Sequence, residues 1–482
     1  MHLSKPVCAI CSLLIVSACV GDQFDSGLGA TPGGVKDLKL ARELIEAGLV
    51  PPPDALLVEA MFAEHELGLE GPTCARTLCL RAAAGIAPEL GGDKRGWAQV
   101  GLSSTIEPAT WQRPSTTFIF TVDVSGSMGW GRAPREDSAS AGELSRALLH
   151  QLIDKLMPDD RLALVTYGDN VSEVLPLTSG GERELGHRRV DELRTNGSTD
   201  MEAGMRLAYQ LGRSARGQTD QVRVIVFTDV QPNVGATGPS EFQTMVAEAA
   251  AQDVHTSVLA LGVGIGPEVL RAMASLRGAN AYSLTRVSHI AEFMEESYPW
   301  FTTPIAYDLK VNADLAAGWG INRGLGFPAA DDESQVGLKA ASVFLSRRKG
   351  ALLVALEPTA TPALALSGHF DLRYVEPSGQ PVEESLPFSY DGPLDERGQG
   401  FSQRAVARTT ALGVAAEAMH QAAKVYAEDP LAAARILLAA QERFTADVAA
   451  LGDADLAPEV ELLAALTKLV QRGAPQGTLY GP

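Results

Sequence analysis

The chain has 482 residues, of which 45% are hydrophobic, and a formal net charge of −19 at pH 7. Its length predicts about two to four domains rather than one. A balance this acidic argues against nucleic acid as a partner and against electrostatic docking on anionic lipid.

The first 18 residues have the features of a secretory leader, with a basic start at Lys5 and an apolar run over residues 7–15 that is too short to span a bilayer. The leader ends in Val16-Ser17-Ala18-Cys19, which resembles the lipobox of bacterial lipoproteins. That resemblance implies cleavage before Cys19 and a lipid anchor on its thiol, and the alternative is a plain cleaved signal peptide. We expect a protein of the bacterial cell envelope, in the outer membrane, that touches membrane only through this lipid. Residues 19–35 then form a flexible tether.

Residues 36–112 are predicted to form a helical or mixed module. Helical periodicity over residues 38–66 is interrupted by three prolines, and residues 97–102 favour a short strand. Cys74 and Cys79 lie within this module. In an oxidising compartment a disulfide is their simplest state, and zinc is the rival, although no second Cys or His pair lies close in sequence. A helix would hold the two side chains about 140° apart, so a disulfide requires a turn or a broken helix here.

Residues 115–301 alternate between predicted strands and helices. The strands are expected at 117–122, 161–167, 173–177, 221–228, 256–262 and 281–284, and the helices at 143–157, 182–194, 201–213, 240–252, 267–276 and 288–297. This alternation indicates an α/β domain with a doubly wound, mostly parallel sheet covered by helices on both faces. Ligands of such sheets bind beyond the carboxyl ends of the strands, where the strand order switches direction.

Oxygen-bearing side chains occur at those predicted strand ends. Asp123, Ser125 and Ser127 follow the strand at 117–122, and Asp229 ends the strand at 221–228. Thr199 lies in a Gly-Ser-Thr loop that opens a helix. Carboxylate and hydroxyl oxygens can supply part of the coordination shell of a hard cation such as Mg²⁺, which takes oxygen ligands. The alternative is that the hydroxyls only cap helices.

This spaced set resembles the metal-ion-dependent adhesion site of von Willebrand factor A domains, which have a Rossmann-like fold. The family usually has Gly directly after the last Asp, where this chain has Val230. The resemblance implies Mg²⁺ as cofactor, with Mn²⁺ or Ca²⁺ as alternatives, and the five oxygen-bearing side chains as its ligands. It also implies one open coordination position for an Asp or Glu carboxylate of an envelope or extracellular partner protein. Residues 44–59 further resemble an N-terminal module of one bacterial group of von Willebrand factor A lipoproteins.

Candidate partner contacts lie beside the predicted site. Trp130, Arg132 and Arg135 belong to a loop that follows the first metal motif, and Trp and Arg are favoured at interface hot spots. Asn233 is either a residue of the site rim or a turn residue. The loop with Trp130 is equally well explained as a solvated segment.

The rest of the chain predicts two further units. Residues 303–397 favour a β-rich domain, and residues 400–475 favour an Ala-rich helical segment with helices at 402–427, 430–451 and 457–471. We expect these helices to pack back onto the α/β domain. No apolar run there approaches the roughly 20 residues of a membrane span.

Enzyme classes fit the sequence poorly. A haloacid dehalogenase-type phosphatase needs a second acid two positions after the first, and here that residue is Ser125. The Gly-x-Ser-x-Gly frame of serine hydrolases is not met at Ser127, and His187 and His255 fit surface or packing roles. We therefore expect a lipid-anchored protein that binds a partner through a divalent cation. The alternatives are an envelope scaffold with a purely structural metal site and, third, a metal-dependent hydrolase.

Overall fold

The computed structural model describes residues 27–129, 139–195, 197–328, 338–359 and 365–479. Cys19, Trp130, Arg132 and Arg135 lie outside these ranges. In chain order, strands β1 to β17 span Gly29–Pro32, Gly34–Val35, Leu78–Pro88, Lys94–Ser104, Thr116–Asp123, Arg161–Tyr167, Ser172–Ser179, Gln221–Thr228, Val254–Leu261, Asn280–Leu284, Pro304–Leu315, Trp319–Leu325, Lys339–Ser346, Gly350–Pro358, Leu366–Val375, Pro381–Tyr390 and Gly400–Phe401. Helices α1 to α11 span Lys39–Glu46, Val58–Ala63, Ala141–Asp154, Arg183–Asp191, Met201–Ser214, Pro239–Ala250, Pro267–Ala274, Val287–Glu292, Arg404–Val425, Pro430–Leu451 and Ala457–Gln471.

One sheet has seven strands in the order β2-β10-β9-β8-β5-β6-β7. All its pairings are parallel except that of β7 with β6. Successive residues of β5 point to opposite faces, so Phe118 and Phe120 pack with α3 while Ile119 packs with α5. Helices on both faces explain why β5 and β8 are continuous apolar runs. The predicted doubly wound α/β fold is confirmed.

The other sheet has ten strands, paired in antiparallel fashion throughout. Its main order is β12-β14-β4-β1-β13-β11-β15-β16, and β3 pairs with both β4 and β17. Strand β16 also packs against β3, so the sheet encloses its own apolar core, which includes Val100, Val343 and Phe370. The N-terminal module and the β-rich region are therefore not separate units, because they contribute strands to the same sheet.

The expected flexible tether is wrong for residues 29–35. Strand β1 pairs with β13 and β4 of the ten-stranded sheet, whereas β2 pairs with β10 of the seven-stranded sheet. Between them, the Gly33 amide donates to the Ser342 carbonyl at 2.8 Å. Leu28 and Ala30 are buried in the core of the ten-stranded sheet. This segment links the two sheets, and the glycines that suggested flexibility instead permit close approach: a Cβ at Gly29 would lie 1.9 Å from the Arg348 carbonyl oxygen.

The C-terminal helices begin and end within two residues of their predicted limits, but they pack elsewhere than expected. Helix α9 lies against β3, β4 and β14 of the ten-stranded sheet and against α2, while α11 contacts α1. Small residues make this packing close, since a Cβ at Gly413 would lie 3.2 Å from the Phe62 ring. In the part of the chain described, no helix combines the length and the apolar character that crossing a bilayer requires.

Candidate metal centre

The candidate site lies at the carboxyl ends of β5 and β8, which are neighbours in the seven-stranded sheet. From β5 the chain continues to β6 and β7 on one side, and β8, β9 and β10 fill the other side. The site is therefore at the point where the strand order reverses, which is where doubly wound sheets bind ligands. Asp123 is the last residue of β5, and Asp229 directly follows β8.

Asp123 is fully buried, and both of its carboxylate oxygens accept hydrogen bonds. Its Oδ1 accepts from the Ser125 amide at 2.8 Å, and its Oδ2 accepts from the Thr228 hydroxyl at 3.0 Å. The hydroxyl oxygens of Ser125 and Ser127 are 3.1 Å apart. The loop thus turns both serine side chains of the Asp-x-Ser-x-Ser motif to one place.

Asp229 supplies a second buried carboxylate beside Asp123. Its exposed fraction is 3%, and its Oδ1 has no hydrogen-bond partner within the described ranges. Burial, and then the charge of Asp229, raises the pKa of Asp123 to about 7. Burial also raises the pKa of Asp229, against the hydrogen bond that it receives from the Ser127 side chain. Burial makes ionisation of both carboxyl groups unfavourable. A cation bound between them would favour their ionised forms.

The loop that carries Thr199 is held at the same edge by contacts with two other loops. The Gly126 amide donates to the Gly197 carbonyl at 2.9 Å, and Asp169 accepts from both the amide and the hydroxyl of Ser198 at 2.8 and 2.7 Å. Those hydrogen bonds lower the pKa of Asp169. Gly197 has a φ of +61° and packs against Asp169 so closely that a Cβ would lie 1.8 Å from the carboxylate. This position therefore requires glycine.

Asn233 also holds Thr199, through both its side chain and its backbone. The Asn233 Oδ1 accepts from the backbone amide of Thr199 at 2.9 Å, and the backbone amide of Asn233 donates to the Thr199 carbonyl at 3.2 Å. Thr199 is itself buried. Asn233 therefore positions the loop with Thr199, and its place on the rim of a partner-binding site stays a prediction.

The departure from the family pattern at Val230 has a visible consequence. Val230 has a φ of +56°, in the left-handed region, and its side chain is 1% exposed. Only glycine adopts this region without strain, and a β-branched residue there is a genuine outlier. The loop after Asp229 thus keeps the backbone shape that a glycine would permit, and Val230 fills space in the core.

These residues are chemically suited to a hard divalent cation. They offer two carboxylates and three hydroxyls, and oxygen ligands are those that Mg²⁺ and related ions prefer. The unpaired buried oxygen of Asp229 is the kind of atom that a cation would satisfy. Across the described residues, no three or more His, Cys, Asp or Glu side chains are arranged to ligate one ion, so any ion here depends on the hydroxyls.

The comparison with known families identifies this region. Residues 118–231 match the family model described as "von Willebrand factor type A domain". The chain contains a von Willebrand factor A domain. The matched residues begin in β5 and end just beyond Asp229, so they include all five side chains predicted as metal ligands.

Relatives resemble this chain over part of their length. The uncharacterized protein YfbK of Escherichia coli is 24% identical over 284 residues, which cover 58% of this chain and 48% of that protein. The inter-alpha-trypsin inhibitor heavy chain H4 of Sus scrofa is 26% identical over 216 residues, or 43% of this chain and 22% of that protein. The chain thus spans half or less of the length of these relatives. A solved von Willebrand factor type A structure from Catenulispora acidiphila has a TM-score of 0.51 and 14% identity, covering 81% of this chain and 91% of that one, and shows that the fold is shared.

Two residues that shape the site were missed in the sequence. Thr228 holds Asp123, and Asp169 holds the loop with Thr199. Asp169 lies two residues after β6, which neighbours β5, so the same strand-end argument that selected Asp123 would have found it.

Proposed function

We propose that this von Willebrand factor A domain holds a divalent cation at Asp123, Ser125, Ser127, Thr199 and Asp229 and uses it to bind a partner protein. The observation that carries the proposal is the buried Asp229 Oδ1 without a hydrogen-bond partner in the described structure, next to a second buried carboxylate. Mg²⁺ is the ion of choice, with Mn²⁺ and Ca²⁺ as alternatives.

The charges of the site favour capture of an anion. Asp123 and Asp229 together balance the charge of a divalent ion, and the three hydroxyls add none, so the ion would remain electrophilic. When bound, the ion supplies a Lewis acid for a carboxylate oxygen of an Asp or Glu on the partner. The chain's own part is positioning: Asp169 and Asn233 fix the loop with Thr199, while the capping box of Ser140 and Glu143 fixes the start of α3 beside the serine loop.

We propose that the protein is placed in the bacterial cell envelope by a lipid on Cys19. The leader-like residues 1–18 and the small residues before Cys19 support this placement. Mass spectrometry of the N-terminal peptide of the native protein, compared with a Cys19→Ser variant, tests it. An acylated Cys19 in the membrane fraction is expected, and an unmodified thiol would leave only a cleaved signal peptide.

The second candidate is a scaffold in which the metal site is structural. It is favoured by the way in which the N-terminal segment, the β-rich region and the helices α9 to α11 enclose shared cores. A metal-dependent hydrolase is the third candidate, and turnover abolished by Asp123→Ala would reveal it.

Affinity capture from envelope extract separates these candidates. The full chain would be used as bait with Mg²⁺, with excess chelator, and as an Asp123→Ala variant, with the exposed Asp159→Ala as matched control. A protein retained by the unaltered bait and the control, only with Mg²⁺, supports cation-mediated binding. Equal retention on all baits with and without chelator overturns it and supports the scaffold.

A further inference from the structure

Four titratable side chains meet on the surface formed by α3 and α4, outside the strand-end site. Each helix carries a His and an Asp four residues apart, which are His150 with Asp154 and His187 with Asp191. Side chains four apart share one face of a helix. His150 Nε2 lies 3.1 Å from Asp191 Oδ1. His187 Nε2 lies 3.0 Å from Asp154 Oδ1, so each ring contacts the acid of the other helix.

A third contact joins the two rings. The Nδ1 atoms of His150 and His187 are 2.7 Å apart, a separation that fits one N–H···N hydrogen bond. The rings are stacked, with an interplanar angle of 24° and centroids 5.0 Å apart. Helices α3 and α4 are thus connected by a chain of three contacts in the order acid, ring, ring, acid.

These three contacts fix the number of hydrogens on the two rings. An ionised carboxylate only accepts, so each Nε2 must carry a hydrogen. One of the two Nδ1 atoms must carry a third hydrogen, because two lone pairs repel each other and two N–H groups cannot donate to each other. Two neutral imidazoles have two N–H hydrogens, and two imidazolium ions have four. Three hydrogens therefore mean one positive charge on the pair.

The neighbouring charges favour the first proton and oppose a second. The two carboxylates that contact the rings favour a positive charge between them. A second proton would set two imidazolium N–H groups head to head, since the Nδ1 atoms are 2.7 Å apart. The Arg146 guanidinium, 3.7 Å from Asp191, adds to that repulsion. Arg194, which donates to the Asp191 carbonyl at 2.6 Å, is a further cation at that end of α4.

Charged groups of the other elements around α3 and α4 face elsewhere. On α8, Glu292 pairs with Lys39 at 3.1 Å, and the His289 ring contacts the Thr285 hydroxyl at 3.0 Å. On β8, Arg223 donates to the Thr302 carbonyl at 3.2 Å. The remaining groups are His255 of β9, which stacks on Tyr307, and Glu173 of β7, which is exposed.

The two helices are packed closely enough to keep the rings together. A Cβ at Gly186 would lie 3.3 Å from Ile153 of α3, so glycine lets α4 approach α3 beside the ring contact. Arg146 of α3 donates to the carbonyls of Val190 and Leu193 at 2.9 and 3.2 Å. The two His side chains are 30% and 27% exposed, so their protons can exchange with water.

We propose that His150 and His187 share one proton and thereby form a pH-sensitive clasp between α3 and α4. Loss of the shared proton removes the hydrogen bond between the rings, and a second proton replaces that bond by repulsion. In either case α4 is held less firmly. Helix α4 leads towards the loop with Thr199, so the clasp acts on a segment beside the candidate metal centre. Its formation does not require a bound cation.

The linkage between proton binding and folding gives the pH at which the clasp is strongest. Histidine in an unfolded chain has a pKa of about 6.5, so two of them together bind one proton at that pH. The folded pair keeps one proton on both sides of it. Above about pH 6.5 the unfolded chain binds fewer protons than the folded pair, so stability falls as pH rises. Below about pH 6.5 the unfolded chain binds more, so stability falls as pH drops.

Urea unfolding of the full chain in chelator, from about pH 5 to about pH 8, tests the proposal. The parent is compared with the double variant His150→Gln/His187→Gln, because the other groups that titrate in this range are common to both. The quantity of interest is the unfolding constant of the double variant divided by that of the parent. This ratio should be largest near about pH 6.5 and should fall on both sides, by up to about tenfold per pH unit.

His369→Gln is the matched control. His369 is a surface histidine with two acids nearby, Asp314 and Asp371 at 3.7 and 3.6 Å, and no second histidine ring contacts it within the described ranges. A single histidine beside acids is stabilised when charged, so the ratio for this variant should fall as pH rises and should show no decrease on the acid side. The proposal is overturned if the ratio for the double variant also changes in one direction only.

Nitrogen-15 NMR of the imidazole rings of the parent gives a second readout, which holds even if the double variant fails to fold. The single variants His150→Gln and His187→Gln assign the signals. At about pH 6.5 each Nε2 should carry one hydrogen, and the two Nδ1 atoms should share one between them. Two neutral rings or two imidazolium ions at that pH would overturn the proposal.

Discussion

The two sheets differ in how far apart in sequence their strands lie. Six strands of the seven-stranded sheet come from the single stretch 116–284, whereas the ten-stranded sheet collects strands from residues 29–32, 78–104 and 304–401. The parallel sheet places several strand ends at one edge, where loops can converge on a ligand. The antiparallel sheet joins distant parts of the chain, and the segment from β1 to β2 links it to the domain that carries the site. The parallel sheet thus carries the candidate site, and the antiparallel sheet joins distant segments of the chain.

The largest expected effect concerns the parallel sheet, where the carboxylates of Asp123 and Asp229 are both buried and a bound cation would offset their charge. Burial and the nearby Asp229 raise the pKa of Asp123 to about 7, from 3.8 in the unfolded chain. Because the folded protein keeps a proton that the unfolded chain has lost, its metal-free stability should fall as pH rises from about 4 to about 7, by up to about 4 kcal/mol. Mg²⁺ binds the ionised form and should offset that fall.

Urea unfolding at several pH values, with chelator and with Mg²⁺, measures this effect. Other carboxylates titrate in the same range, so the decisive quantity is the difference from Asp123→Asn. That variant should be more stable than the parent in chelator at pH 7 and should gain less from Mg²⁺. A parent with the same pH dependence as Asp123→Asn would contradict the paired-carboxylate account.

The next largest effect should come from breaking the link between the sheets. Gly29→Ala places a Cβ within 2.5 Å of three backbone atoms of Arg348 and Lys349, which cannot move without displacing β13 or β14. We expect a loss of about 3 kcal/mol in the free energy of unfolding. Chemical denaturation measures it, with Gly91→Ala as control, because a Cβ there meets no atom within 4 Å. Equal stability of the two variants would mean that the β1 segment is not a firm part of the sheet.

Reduction of the disulfide should affect only the antiparallel side. Cys74 and Cys79 form the expected bond just before and at the start of β3, where no regular helix is present. A loop of this length predicts a loss of about 2 kcal/mol on reduction. Denaturation with and without reductant measures it, and titration with Mg²⁺ should give the same affinity in both states. A large change in Mg²⁺ affinity would show that the two sheets are more strongly coupled than their structures suggest.

The smallest effect sharpens the account of the loop after β8. At Val230, glycine removes the left-handed strain that alanine retains, and both substitutions remove the buried side chain. Val230→Gly should therefore be more stable than Val230→Ala by about 1 kcal/mol, the reverse of the usual order within regular structure. Thermal unfolding of both variants in chelator decides the sign.

Sequence alone was a good guide where structure is local. The strands and helices of the α/β domain follow from their hydrophobic periods, and the Asp-x-Ser-x-Ser motif follows from its place after a buried strand. Residues 29–35 were misjudged because glycine and proline are typical of flexible segments, whereas here glycine is required by close backbone contact. Nothing in the local pattern of β4 indicates that it pairs with β14, whose partner residues lie more than 240 positions later.

Packing between two helices shows the same limit in another form. His150 of α3 and His187 of α4 are 37 residues apart in sequence, and only the packing of α4 on α3 brings their Nδ1 atoms to 2.7 Å from each other. A His with an Asp four positions later on a helix is a visible signal, and its occurrence twice in one domain would have justified comparison of the two helices.

The segment from Gly29 to Val35 also determines how the protein would carry a mechanical load. Tension applied at the N-terminal end of the described chain reaches β1 first and acts along the strand, in shear against its hydrogen bonds with β13. The bonds of β2 with β10 lie directly behind. Force would thus load the antiparallel sheet first and reach the domain that holds the candidate cation site only through β2.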